Sequence, residues 1–230
     1  MPTLVVLHHF VKSKLGQAAA PLREAGLTID ERFLDRGDPL PAAGELDGLL
    51  VLGGDDTAVG IGPDTLLAAE ARLMGDAAAA GVPTLGVCLG AQLLATGLGG
   101  SVRHIGRSVH WHAPRKLAAA DGDPLFASLP DPLPALYWNE DVFELPPGAE
   151  LLVEPAREGA SAFRVDGLPA WGIQYHPDVD RAVLEEWILD YGDEIPDRDA
   201  FRQASAGVMD AQDAASHALF ANFARLVARR

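Results

Sequence analysis

Short apolar runs alternate with helical stripes over the first hundred residues. Thr3 to Leu7 is rich in β-branched residues and leucine and predicts a buried first strand. Gly16 to Ala25 carries helix formers and stops at Gly26, a residue suited to the left-handed position after a helix. Thr28 to Phe33 alternates as a second strand. Leu46 to Leu52 reads as a third and ends abruptly in Gly53-Gly54-Asp55-Asp56. Pro63 stands where a helix can open, since its missing N–H costs nothing there, and Leu66, Leu67, Leu73, Met74 and Ala77 carry that helix to Gly81. Val82 to Val87 is a short buried strand, and Ala91 to Thr96 begins another helix.

After Gly100 the texture changes. Ser101 to His112 reads as strand, and Asp121 to Pro134 is a proline-rich connection. Ala135 to Trp138, Glu150 to Glu154, Ala160 to Val165 and Ala170 to Ile173 are short strands separated by turns. Leu184 to Tyr191 predicts a helix, and Phe201 to Val227 one or two more, with Gly207 a place for a break. Leu219, Phe223 and Leu226 share a helical face that should dock on the sheet. The expected fold is α/β: a mostly parallel central sheet with helices on both faces and added antiparallel strands. No linker separates two units, so residues 1–230 are expected to form a single domain.

Composition narrows the partners. Hydrophobic content of 48% and charged content of 22% are ordinary for a globular enzyme. A net charge of −15 disfavours nucleic acid and anionic membrane as partners, because both would be repelled. No apolar stretch approaches a membrane span, and the N-terminal apolar run is too short and lacks the basic residues of a signal peptide. A lone cysteine excludes an internal disulfide. The expected location is cytoplasmic.

That cysteine lies in Gly86-Val87-Cys88-Leu89-Gly90, between the short strand and the following helix. A strand-to-helix turn flanked by glycines can hold its central side chain exposed as a nucleophile, with the positive helix end favouring thiolate. The plainer reading is a buried structural cysteine. Against it, no packing reason for the two glycines is evident in the sequence. A cysteine nucleophile needs a base, and the base needs an orienting group. Gly172-Ile173-Gln174-Tyr175-His176-Pro177-Asp178 places His176 after a strand's C-terminal end, where α/β sheets build their sites. Asp178 can reach the far ring nitrogen, or it can cap the helix near Val183; both roles remain open. Gly53-Gly54 lets the backbone approach a substrate closely. Its N–H and that of Leu89 would make a two-donor oxyanion hole. Elsewhere, His8 or His9 could line the pocket. His110 and His112 share a strand face, but no second cysteine or well-spaced carboxylate completes a metal set, so no metal and no cofactor is expected.

Gly-Gly after the third strand, then G-V-C-L-G-x-Q, then G-I-Q-Y-H-P-D resembles the class I glutamine amidotransferase family, over about residues 3 to 190. Within it the chain looks like stand-alone proteins similar to the amidotransferase domain of GMP synthase. The resemblance implies a flavodoxin-like fold. It implies Cys88 as the nucleophile that forms a γ-glutamyl thioester and releases ammonia, with His176 as base and then acid, and Asp178 orienting it. It implies oxyanion N–H groups at Gly54 and Leu89, and Gln92 at the substrate's α-amino acid end. Four positions depart from the pattern: Ala91 stands for His, Asp55 for Pro, Asp178 for Glu, and Asn139 where stand-alone relatives often have His.

The expected ligand is therefore glutamine or another γ-glutamyl small molecule. No synthetase, ATP or acceptor site is evident in these residues, so use of the ammonia would require a synthetase partner chain. Two alternatives stand beside this: a γ-glutamyl peptide or amide hydrolase with identical chemistry, and a catalytically silent regulatory relative of the same fold.

Overall fold

Strand β1 (Thr3–His8) shows why the sheet is covered twice. Successive side chains of a strand point to opposite faces. Leu4 and Val6 accordingly join one apolar cluster, and Val5 and Leu7 a second. β3 (Gly48–Val51) repeats the division, with Leu50 on the first side and Leu49 and Val51 on the other. The computed structural model describes residues 1–10, 12–156 and 159–230.

The main sheet has seven strands in the order β2-β1-β3-β4-β9-β8-β7, where β2 is Thr28–Phe33, β4 Thr84–Val87, β7 Ala149–Val153, β8 Ala162–Val165 and β9 Ala170–Ile173. From β2 to β9 every pairing is parallel; β8 and β7 add antiparallel strands at one edge. β5 (Ser101–His112) and β6 (Ala135–Glu144) form a separate antiparallel ribbon. Helices α2 (Leu66–Ala79) and α3 (Leu89–Gly97) supply Ala71, Met74, Ala77, Leu93 and Leu94 to one face. α1 (Ala19–Glu24) and α5 (Arg198–Ala228) supply Leu22, Leu219, Phe220, Phe223 and Val227 to the other. α4 (Arg181–Asp190) packs Val183, Leu184 and Ile188 with Leu136 and Trp138 of the ribbon and with Phe201 and Met209 of α5. No helix among the described residues is long and apolar enough to cross a membrane.

The expected α/β architecture is present, with local differences. α2 begins at Leu66, because the Thr65 hydroxyl accepts from the Ala68 N–H and caps it; Pro63 lies ahead of the helix. β6 continues past Trp138 to Glu144, paired along its length with β5. β7 and β8 are slightly shifted relative to the expected runs. α5 is one unbroken helix of 31 residues that passes through Gly207. Burial of its apolar face supplies what that glycine lacks in propensity.

Candidate active site

The turn between β4 and α3 is strained at one residue. Cys88 has φ 52° and ψ −109°, and among the described residues it is the one non-glycine residue with positive φ. Such a conformation costs on the order of 1–3 kcal/mol and persists only where the surroundings enforce it. Here they do. The Cys88 N–H donates to the Ile173 carbonyl at 2.7 Å, and the Cys88 carbonyl accepts from the Gln92 N–H at 3.1 Å. The flanking glycines also have a packing role, contrary to expectation. A β-carbon on Gly86 would lie 2.3 Å from the Gly90 oxygen, and one on Gly90 would lie 2.2 Å from the Val51 oxygen. The two glycines let α3 press against β4 and β3, and that contact sets the angle of the turn.

His176 follows β9, which pairs with β4, so the two neighbouring strands deliver Cys88 and His176 to one place. Both flank Gly53: a β-carbon there would sit 3.5 Å from Cys88 Cβ and 2.9 Å from His176 Cε1. The His176 ring interacts electrostatically with the Cys88 side chain. On its other side, Nδ1 lies 3.2 Å from Asp178 Oδ1. Burial works against a charged imidazole here, but the charges of Cys88 and Asp178 outweigh it and hold His176 well above its ordinary pKa. Asp178 is not the helix cap; Asp180 is, with its Oδ1 accepting the Val183 N–H at 2.8 Å.

Residues that the sequence did not single out hold this pair in place. Trp187 of α4 sets its ring edge-on to His176, centroids 4.9 Å apart. The Gln212 side chain, buried on α5, donates to the carbonyls of His176 and Val179, each at 3.1 Å. The His176 N–H donates to the Leu136 carbonyl at 2.8 Å. The Asp178 carbonyl accepts from the Gln17 N–H at 2.9 Å. Sulfur itself lies 3.7 Å from Gln174 Nε2 and 3.9 Å from the Trp138 carbonyl.

A cavity of about 100 Å³ opens over the sulfur, lined among others by Gly53, Gly54, Cys88, Leu89, Gln92, Asn139, His176 and Asp178. All six expected site residues therefore border one space. Leu89 is the first residue of α3, where backbone N–H groups have no acceptor within the helix. Gln92 is buried, and its amide donates to the Asp141 carbonyl at 2.9 Å and approaches Gln174 Oε1 at 3.5 Å. Asn139 donates to the same Asp141 carbonyl at 3.1 Å, while its own carbonyl oxygen is buried without a partner. Asp55, where the family pattern has proline, accepts from the Tyr191 hydroxyl at 3.0 Å. The rim carries both signs of charge: Lys12, Lys14 and Arg107 against Asp55, Asp56 and Glu140.

Neither His8 nor His9 lines the cavity; both are buried behind it. His110 stacks on Tyr137 with centroids 5.1 Å apart. Among the described residues no group of three or more His, Cys, Asp or Glu side chains is placed to hold a metal ion.

The sequence model of class-I glutamine amidotransferases matches residues 24–190, which contain the elbow and the histidine motif. The chain belongs to the class-I glutamine amidotransferase family. Among curated relatives, it is 32% identical over 132 residues to the glutamine-hydrolysing GMP synthase of Streptomyces avermitilis, a stretch that is 56% of this chain and 25% of that protein. It is 36% identical over 101 residues to one of the subunits of the glutamine-hydrolysing GMP synthase of Thermococcus kodakarensis, covering 43% of this chain and 52% of that relative. The matched part thus spans a quarter to a half of these relatives. A glutamine amidotransferase from Thermotoga maritima superposes with a TM-score of 0.83 over 98% of both chains at 24% identity. One from Methylobacillus flagellatus superposes at 0.82 over 98% of this chain and 94% of that one, at 22% identity. At these identities the superpositions establish the amidotransferase fold, flavodoxin-like with extra antiparallel strands.

Proposed function

We propose that residues 1–230 act as one amidotransferase domain that hydrolyses the side-chain amide of glutamine through a thioester on Cys88. The observation that carries this reading is the strained Cys88 elbow that flanks Gly53 together with a buried His176 whose Nδ1 meets Asp178. His176 takes the thiol proton, and sulfur adds to the amide carbon. The oxyanion so formed is met by the N–H groups of Gly54 and Leu89. His176 then returns the proton to the departing nitrogen, which leaves as ammonia. Water, deprotonated by the same imidazole, attacks the thioester carbon; the C–S bond breaks, sulfur takes the proton back from His176, and glutamate is freed. Asp178 fixes the ring tautomer and stabilises the imidazolium.

Substrate recognition follows from the cavity. Both amide hydrogens of Gln92 are directed at Asp141 and Gln174, which leaves its carbonyl oxygen for the substrate's α-ammonium group. The mixed charges of the rim suit a zwitterionic amino acid. Because the named relatives are glutamine-hydrolysing GMP synthases, a synthetase that consumes the ammonia is the partner class we assign.

The test is Cys88→Ala. Ammonia release from glutamine should fall by a factor on the order of 10⁴, with the thermal melt unchanged within a few degrees. Activity within tenfold of wild type would remove Cys88 from the mechanism. Running γ-glutamyl amines beside glutamine identifies the leaving group: faster cleavage of the amines would reassign the chain as a γ-glutamyl amide hydrolase.

A further inference from the structure

Behind the cavity lies a buried charged pair that the chemistry above does not use. His9 follows the end of β1, and Glu70 projects from the second turn of α2. His9 Nε2 lies 3.1 Å from each carboxylate oxygen of Glu70, and Nδ1 lies 3.3 Å from the Gly53 carbonyl oxygen. A carboxylate and a carbonyl both accept, so both ring nitrogens donate and the ring is an imidazolium. Burial alone would push the His9 pKa down, but the Glu70 charge and the two hydrogen bonds raise it instead. Glu70 is fully buried. A buried ion pair of this kind seldom adds stability over apolar residues of equal volume, so its presence asks for another role.

The peptide it touches gives that role. In a trans peptide the carbonyl of Gly53 and the N–H of Gly54 point in opposite directions. The Gly53–Gly54 segment is packed from both sides. A β-carbon on Gly54 would lie 2.6 Å from His9 Cβ, and one on Gly53 would lie 2.9 Å from His176 Cε1. Glycine turns such a peptide over readily, so packing alone does not choose its orientation.

We propose that His9 and Glu70 are positioning residues for the oxyanion hole. His9 Nδ1–H holds the Gly53 carbonyl on the buried side and so aims the Gly54 N–H into the cavity beside Cys88. Glu70 keeps both nitrogens of His9 protonated and fixes the ring plane. This rests on the reading that Cys88 forms a tetrahedral adduct with a γ-glutamyl carbonyl.

Binding of glutamate γ-semialdehyde tests it. The Cys88 thiol adds across the aldehyde, sulfur to carbon and proton to oxygen, giving a tetrahedral centre whose oxygen occupies the hole without turnover. Two double variants are compared, each free of a lone buried charge. His9→Asn with Glu70→Gln keeps an amide donor near the place of Nδ1; His9→Leu with Glu70→Met removes it. The Leu/Met protein should bind the aldehyde at least about tenfold more weakly and lose at least about tenfold in kcat for glutamine with KM little changed, since removing an oxyanion donor outright costs roughly 10²–10³ in rate. Its Cys88 should alkylate with iodoacetamide at the wild-type rate, because the thiol and His176 are untouched. The Asn/Gln protein should bind within about threefold of wild type. Should the Leu/Met protein not fold, His9→Leu with Glu70→Gln against His9→Asn with Glu70→Leu gives the same contrast. Equal aldehyde binding in all variants overturns the proposal and leaves the role of Cys88 standing. An alkylatable wild type that forms no adduct overturns the proposed function, and this inference with it.

Discussion

Asp178 is one methylene shorter than the glutamate usual in the family, and its carboxylate still comes within 3.2 Å of His176 Nδ1. The loop makes up the difference: Gly16, at φ 48°, lets the backbone after β1 press onto the Asp178 carbonyl, to which a β-carbon would come within 2.0 Å. The carboxylate's effect on the ring can be read from pH dependence. His176 keeps its proton above the ordinary histidine range, so the imidazolium proposed to protonate the leaving nitrogen should be lost only as pH rises through that raised value. Asp178→Asn removes one of the charges that raise it. We expect kcat to fall at least about tenfold and the alkaline limb of the pH–kcat profile to move to lower pH. Asp178→Glu should retain turnover. An unmoved alkaline limb in the Asn variant would show that Asp178 serves only the loop. The proximity of Cys88, His176 and Asp178 is legible in the sequence because each sits in a short motif at a strand end. Glu70 and Gln212 are not, although each leaves a trace: a charge or amide on a helical face otherwise filled by residues such as Ala71 and Met74, or Met209 and Ser216. A buried polar group on such a face needs a partner, and the partner, residues away on another element, is what a one-dimensional pattern withholds.

Two glycines show how differently one residue type acts within its element. Gly90 lies in the first turn of α3, where any side chain would strike the Val51 backbone at 2.2 Å. Gly207 lies in the interior of α5, is exposed, and has nothing within 4 Å of where a β-carbon would stand. Gly207→Ala should therefore stabilise the protein by roughly 0.5–1 kcal/mol and raise the melting temperature by about 1–4 °C, without touching activity. Gly90→Ala should destabilise it and displace Cys88, lowering both the melt and the rate of thiol alkylation. A Gly207→Ala protein no more stable than wild type would mean that α5 is already strained at that turn. Local signals alone make Gly207 a helix break, as they make Pro63 a helix start. Tertiary burial overrides the first, since α5 lays Phe201, Met209, Leu219 and Phe223 along one continuous apolar face. The Thr65 cap overrides the second.

Across the whole molecule, the site is assembled from both faces and both sheets. β1 and α2 bring His9 and Glu70 beneath the Gly53–Gly54 peptide, β4 and β9 bring Cys88 and His176, and β6 brings Trp138 and Asn139. α5 reaches from Gln212, bonded to the His176 loop, to Val227, which packs against Gly48 of β3. The succession of strands and helices along the chain is largely readable from the apolar runs, whereas the β5–β6 ribbon over the cavity registers only as extra strands, because nothing local tells which sheet a strand will join. The completeness of this framework bears on whether the chain works alone. An amidotransferase that depends on its synthetase for activation needs a misplaced element for the partner to correct, most simply a turned oxyanion peptide. Here the Gly53 carbonyl is already held by His9, and the His176 loop by Gln212 and Leu136. We therefore expect the purified protein to release ammonia from glutamine with no second chain present, at a rate abolished by Cys88→Ala. Ammonia assayed against protein concentration, with parallel labelling of Cys88 by an electrophilic glutamine analogue, decides it. A sample that labels fully yet turns over neither glutamine nor γ-glutamyl amines would show that the described geometry is not sufficient, and the missing component should then be sought by co-purification.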